Sequence, residues 1–323
     1  MRKTYVVIRL TLTKMYVFNV NRGNTMNILI TGGTGLIGRS LINVLNGENV
    51  NITVLTRDMS KASTKLSKSI KLINMLSIEN IENQDIVINL AGEPIADKRW
   101  SNTQKEIICN SRWTVTEQIS TFIQQAKNPP SLFISGSAIG IYGRQNVESI
   151  DESFQGFHPE FTHRVCKTWE HKALSAKSTK TRVAILRTGI VLDSKAGALS
   201  KMLTPFKLGV GGKISHGDQV MSWIHIEDVI AAILHIKNTP TLEGAINITA
   251  QTPVTNKHFT AALAKVLNRP NFMTTPAFML KVIFGEMADL LLFGQHVIPD
   301  KLQKSGFKFK YPTIEAALKN LFQ

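Results

Sequence analysis

Beyond residue 26 the chain repeats one alternation: a short apolar run, a polar or glycine-bearing turn, then a longer stretch with apolar residues at helical spacing. Residues 27–31 form a run of buried-strand type, and residues 36–45 carry Leu and Ile where a helix would pack on a sheet. Further strands are predicted at 51–55, 70–74, 85–90, 132–135, 183–186 and 245–249. Ser101 followed by Gln104 reads as a capping box, opening a helix that runs to about Ala126 before Pro129 and Pro130 end it. Helices are also predicted over 161–177, 256–267 and 312–322, and a strand hands over to a helix near Asp228. Residues 278–297 are the most apolar late stretch. Lys281, Glu286, Asp289 and His296 interrupt it, so a buried or interface helix pair is expected there and not a membrane span.

The turns between these elements carry the candidate chemistry. Between the first strand and helix stands Thr31-Gly-Gly-Thr-Gly-Leu-Ile-Gly38, with glycines three apart. Gly32 permits a tight turn, Gly35 lets backbone approach a pyrophosphate, and Gly38 lets helix and strand lie close. The N–H groups around Thr34, Leu36 and Ile37 would then face a diphosphate. The second strand ends in Thr56-Arg57-Asp58. An acid at that tip accepts a ribose 2′-OH, whereas arginine accommodates a 2′-phosphate, so Thr56 and Arg57 favour NADP over NAD. A shift of two positions would bring Asp58 to the tip, and Arg57 would otherwise be a solvated turn residue.

Small residues in Leu90-Ala91-Gly92 leave room for a ligand beyond the sheet. Ser137 and Tyr142 follow the fifth strand and are candidate hydroxyl donors, or else ordinary turn hydroxyls. Arg112, in mid-helix, is a candidate for an anionic substrate or a surface arginine. Gly189 opens a substrate-side region expected at about 188–225, and residues 209–219 read as a glycine-rich loop over the site. His225 reads more readily as a structural histidine than as a catalyst.

Composition narrows this picture. With 323 residues, 43% hydrophobic and 19% charged, the chain suits a soluble globular protein with one large core or two unequal ones. The formal charge of +15 points to nucleic acid, an anionic membrane surface or anionic phosphates. No basic patch interleaved with aromatics is present, so nucleic acid and membrane partners are not expected. Part of the charge is local, because residues 1–25 hold Arg2, Lys3, Arg9, Lys14 and Arg22 and no acid. That extension is either a targeting segment or the product of an upstream start before Met26, and the second reading is preferred. Cys109 and Cys166 give no disulfide or zinc spacing, so no metal is expected and a cytoplasmic location is.

The phrases Thr31 to Gly38, Asn89-Leu-Ala-Gly-Glu-Pro-Ile95, Ser137-Ala-Ile-Gly-Ile-Tyr-Gly143, Arg187-Thr-Gly-Ile-Val-Leu192, Gln219-Val-Met-Ser-Trp-Ile-His225 and Gly306-Phe-Lys-Phe-Lys-Tyr-Pro312 together resemble the extended short-chain dehydrogenase/reductases, the NAD-dependent epimerase/dehydratases. Within them the chain is most similar to the atypical "epimerase family protein" group of YfcH type, from Met26 to the end. The resemblance implies an α/β fold, a Rossmann-like doubly wound parallel sheet over 26–250 with a smaller C-terminal α/β substrate region over 251–323. It implies NADP binding, hydride exchange with an unidentified sugar-nucleotide or other anionic substrate, and pairing through the helices near 104–126 and 161–177 as in superfamily dimers. In that superfamily a serine and a Tyr-x-x-x-Lys pair do the chemistry. Ser137 matches the serine and Lys167 the lysine, which also holds the nicotinamide ribose. His163 stands where the tyrosine belongs, so the proton carrier is His163 or Tyr142. The alternative is an NADP-binding interaction or regulatory protein with little or no catalysis.

Overall fold

The structure, a computed structural model, describes residues 25–146 and 149–323. The extension expected over 1–25 lies outside them, except for Thr25. The first half alternates β1 (Met26–Thr31), α1 (Leu36–Leu45), β2 (Val50–Leu55), α2 (Met59–Ser63), β3 (Lys71–Ile73), α3 (Ile78–Ile81), β4 (Ile86–Asn89) and α4 (Asn102–Gln125). Then come β5 (Leu132–Ala138), α5 (Phe161–Leu174), β6 (Arg182–Thr188), β7 (Ile190–Leu192) and α6 (Gly197–Lys207). Short strands β8 (Gly212–Ile214), β9 (Val220–Met221) and β10 (Trp223–His225) lead into α7 (Ile226–Asn238), β11 (Gly244–Ile248) and β12 (Val254–Thr255). The chain closes with α8 (Asn256–Leu267), β13 (Met273–Thr275), α9 (Ala277–Phe284), α10 (Asp289–Leu292), α11 (Asp300–Lys304) and α12 (Ile314–Phe322).

Seven strands form one sheet in the order β11-β6-β5-β4-β1-β2-β3, every neighbour parallel. This is the doubly wound Rossmann-like sheet. Strand alternation divides the apolar residues between two layers. Ile28 and Ile30 face a core shared with Leu41, Ile42 and Leu45 of α1 and Val229, Ile233 and Ile236 of α7. Leu29 points the other way, onto Ile119 and Ile123 of α4 and Ala173 of α5. A further core gathers Leu199 and Leu203 of α6, Trp223, Phe259 and Leu263 of α8, and Ile314 and Leu318 of α12. The region beside the sheet is thus stitched from segments on both sides of β11.

Two stretches differ from their sequence reading. The loop expected over 209–219 contains β8, which pairs with β13 and so acquires backbone partners that its glycines concealed. Residues 278–297 are only partly helical. After α10 the chain runs extended, Val297 bridges Ile150, and α9 buries Leu280 alone. Ser101 does cap α4, its hydroxyl accepting from the Gln104 N–H at 3.1 Å.

Candidate active site

Strand order reverses between β1 and β4, and a crevice outside the carboxyl ends of such a sheet is where this architecture takes ligands. The ends of β1 and β4 are tied by side chains: the Thr31 hydroxyl donates to Asn89 Oδ1 at 2.6 Å, and Asn89 Nδ2 donates to Thr116 on α4 at 2.7 Å. Directly beyond them lies the glycine turn. Gly32 has φ +70°, and a Cβ there would stand 2.4 Å from the Leu90 carbonyl oxygen. A Cβ on Gly38 would stand 2.4 Å from the Gly32 carbonyl oxygen, so this glycine sets the close approach of α1 to the turn. Helix α1 starts at Gly35 with no side-chain cap and no acid in its first turn. Its leading N–H groups at Leu36 and Ile37 are therefore available to an external acceptor.

At the end of β2, Arg57 is exposed. Asp58 is the N-cap of α2, its carboxylate accepting from the Lys61 N–H at 2.8 Å. The acid that could have competed for the strand tip is committed to a helix end. Leu90 donates its N–H to the Thr31 carbonyl at 3.1 Å, fixing the start of Leu90-Ala91-Gly92 beside the turn.

Ser137 and Tyr142 are joined in one buried network. The Ser137 hydroxyl donates to Glu170 Oε1 at 2.7 Å, and Arg187 spans the same carboxylate with Nε and Nη2 at 2.9 and 2.8 Å. Arg187 Nη1 reaches the Tyr142 oxygen at 3.0 Å, and that hydroxyl donates to Asn247 Oδ1 at 2.8 Å. Tyr142 is 0% exposed. Burial pushes its phenol up, an effect that Arg187 opposes. Burial alone would lower the Arg187 pKa, and the hydrogen bonds and charge of Glu170 more than reverse this. The neighbouring Cys166 thiol is pushed up to about 12 by burial, with the Glu170 charge adding to the effect, which leaves it unreactive.

His163 and Lys167 lie one turn apart on the same side of α5. His163 Nδ1 contacts the Ile141 carbonyl at 2.5 Å. A carbonyl only accepts, so Nδ1 carries the proton and Nε2 holds the lone pair of the neutral ring. The ring lies 5.4 Å from that of Phe157. Lys167 is exposed and has no acid partner among the described residues. The structure therefore couples Ser137 to Tyr142, while His163 is held separately.

Arg112 projects from α4 over the Trp169 ring, 5.3 Å from its centroid, and a Cβ on Gly92 would come within 3.0 Å of its guanidinium. Among the described residues its bonds run to the Ile108 carbonyl and Ser111 and to no carboxylate, and burial lowers its pKa. Gly189 packs against backbone, since a Cβ there would meet the Ser222 carbonyl oxygen at 2.3 Å. His225 caps α7, its Nδ1 accepting from the Glu227 N–H at 3.1 Å. A cleft of about 420 Å³, lined about equally by polar and apolar atoms, opens between Gln145 and Asn146, Ser215 and His216, and Phe293 and His296.

Glu170, Arg187, Asn247 and Trp169 were not singled out from the sequence as site residues. One signal was present: Arg187 ends a strand that is otherwise apolar, and a buried guanidinium requires an acid. The helix supplying that acid, at Glu170, was already in view. Among the described residues no cluster of His, Cys, Asp and Glu is placed to hold a metal ion, and no helix is long and apolar enough to cross a membrane.

Residues 28–249 match the family model described as NAD dependent epimerase/dehydratase family, and residues 275–321 match a domain of unknown function, DUF1731. An epimerase family protein of Staphylococcus saprophyticus is 38% identical over 91% of this chain and 98% of its own length. An Arabidopsis thaliana protein described as an SDR39U1 homolog, chloroplastic, is 35% identical over 96% of this chain and 90% of its own. Among solved structures, human epimerase family protein SDR39U1 with NADPH superposes with a TM-score of 0.83 at 30% identity, covering 92% of this chain and 99% of that one. The UDP-glucuronic acid 4-epimerase of Bacillus cereus, solved with NAD, shares the fold at a TM-score of 0.73 and 16% identity, over 92% of this chain and 96% of that one. By sequence, fold and the glycine turn at the switch point of its sheet, the chain belongs to the NAD dependent epimerase/dehydratase family.

Proposed function

We propose that the chain binds NADP(H) at the turn from Gly32 to Gly38 and exchanges a hydride with a carbon of a small anionic substrate, a sugar nucleotide or a related compound. The observation that carries this reading is the uncapped start of α1 at Gly35, set beside a β2 tip where Arg57 is exposed and without an acid partner among the described residues and Asp58 is engaged elsewhere. The human relative solved with NADPH adds support. Thr34, Gly35, Leu36 and Ile37 would hold the pyrophosphate, Thr56 and Arg57 the 2′-phosphate, and Leu90, Ala91 and Gly92 would border the nucleotide. When bound, the nicotinamide ring supplies or accepts the hydride.

The chain's own residues then divide the remaining work. Lys167 would hold the nicotinamide ribose. His163 Nε2 accepts a proton from the substrate hydroxyl and returns it, while the Nδ1 bond to Ile141 fixes the ring's tautomer. Arg112 supplies a positive charge for the substrate: a half-buried guanidinium without a carboxylate is costly by itself, and an anion would offset that cost.

A second reading, cofactor binding with weak or no catalysis, is favoured by one observation. The Ser137 and Tyr142 hydroxyls both donate within the buried network and are not free to polarise a substrate oxygen. Turnover of NADPH or NADP, or interconversion of the sugars with the cofactor unchanged, across a panel of nucleotide sugars separates the two. The enzyme reading predicts turnover of at least one compound, lost in Lys167→Ala; tight cofactor binding with no turnover across the panel would favour the second reading.

A further inference from the structure

Among the described residues, eight of the fourteen exposed large apolar side chains fall between residues 208 and 283. They are gathered by the fold. Helix α9 turns only Leu280 inward and leaves Phe278 69% and Val282 72% exposed, with Ile283 beside them. Just before α9, β13 pairs in parallel with β8, Met273 opposite Gly212, and a Cβ on Gly212 would clash with the Met273 carbonyl. In this parallel register Leu208 and Val210, just before β8, enter from the same end of the pair as Phe272, just before β13, which is 76% exposed. A helix with an outward apolar face is an interaction surface.

The segments that build this surface carry charge of one sign. Residues 194–217 and 244–285 contain no Asp or Glu. Lys207, Arg269 and Lys281 are exposed within them and have no acid partner among the described residues. The acids that follow α9 are already taken, Glu286 by Lys105 and Asp289 by Arg144. A symmetric pair of copies meeting here would set this acid-free surface against itself, cation facing cation. An anionic bilayer surface is complementary to both features, taking the aromatic and aliphatic side chains at the headgroup boundary and pairing the cations with lipid phosphates.

We infer that the face formed by α9, the β8–β13 pair and the 208–210 turn docks the protein onto anionic lipid surfaces, peripherally and without a membrane span. This departs from the expectation of no membrane partner. Sequence hydropathy reads this stretch as a buried or interface helix pair, and only the fold shows that the apolar side of α9 is uncovered.

The test is co-sedimentation of the full chain with vesicles of phosphatidylcholine alone and of equal parts phosphatidylcholine and phosphatidylglycerol, at low and high salt. Binding is expected to the anionic vesicles only and to weaken with salt. Phe278→Ser with Ile283→Ser should lower the partition coefficient about tenfold or more, and Lys281→Gln about fivefold, with melting temperatures unchanged because the side chains are exposed. Absence of binding to the anionic vesicles would overturn the inference. So would equal binding by the double variant, which would place attachment elsewhere on the chain. A concentration-dependent dimer in sedimentation velocity that the double variant dissolves would also overturn it, by making the face an interface between copies.

Discussion

The closed network around Glu170 sets a quantitative expectation for Glu170→Gln. Glu170 accepts three hydrogen bonds, from Ser137 and from two nitrogens of Arg187, and all three residues are buried. The glutamine keeps the shape but turns one acceptor into an N–H₂ donor, which then faces a guanidinium donor, and it leaves the Arg187 charge without a counter-ion. Breaking a buried pair from one side costs about 3–5 kcal/mol. With an entropy of unfolding of about 2.1 cal/mol/K per residue, a chain of this length loses about 0.7 kcal/mol for each degree, so the melting temperature should fall by about 4–7 °C. Replacing both charges, Glu170→Leu with Arg187→Met, should recover part of that loss, because apolar partners carry no desolvation cost while the buried Ser137 hydroxyl loses its acceptor. Differential scanning calorimetry of the three proteins is the assay. A melting temperature within about 1 °C of wild type for Glu170→Gln, well below the loss expected for one-sided removal of a buried pair, would show that the network is not closed.

Two other perturbations bear on the site and its frame. Gly38→Ala places a Cβ 2.4 Å from the Gly32 carbonyl oxygen, so it should cost about 1–3 kcal/mol and sharply weaken NADPH binding; a variant with wild-type affinity would contradict the assigned turn. His225 is pushed down to about 4 by burial, from an ordinary value of 6.5. Below pH 6.5 the unfolded chain takes up a proton that the folded chain refuses, so stability is full above that pH, declines by about 1.4 kcal/mol per pH unit, and levels off near pH 4. His225→Asn, which keeps a capping side chain, should flatten that decline in urea titrations at stepped pH, and an unchanged slope would remove the assignment.

The sheet was legible because its central strands β1, β4, β5 and β6 each contain a nearly continuous apolar run, as burial on both faces requires. The glycine turn was legible for a related reason: only glycine fits where a Cβ would meet Leu90 or Gly32. Long-range polar pairing was not. Ser137 and Tyr142 read as candidate donors or turn hydroxyls because, beyond the strand-end Arg187, nothing local reveals that Glu170, Arg187 and Asn247 converge on them from α5, β6 and β11. The exposure of α9 was hidden for the converse reason, since an apolar helical pattern reports that a face is apolar and not whether anything covers it. Asp58 shows the two levels meeting. Its place after the strand looked ambiguous, and the cap it makes on α2 leaves Arg57 alone at the tip.

The central claim is NADP(H) binding at the turn from Gly32 to Gly38, and the most direct test is calorimetric titration of the chain with NADPH and with NADH, repeated on Arg57→Ala. The account predicts tighter binding of NADPH than of NADH, with the substitution weakening NADPH about tenfold, the loss of one charge-assisted phosphate contact, and leaving NADH nearly unchanged. Binding of neither nucleotide, or equal binding of both with no effect of Arg57→Ala, would contradict it.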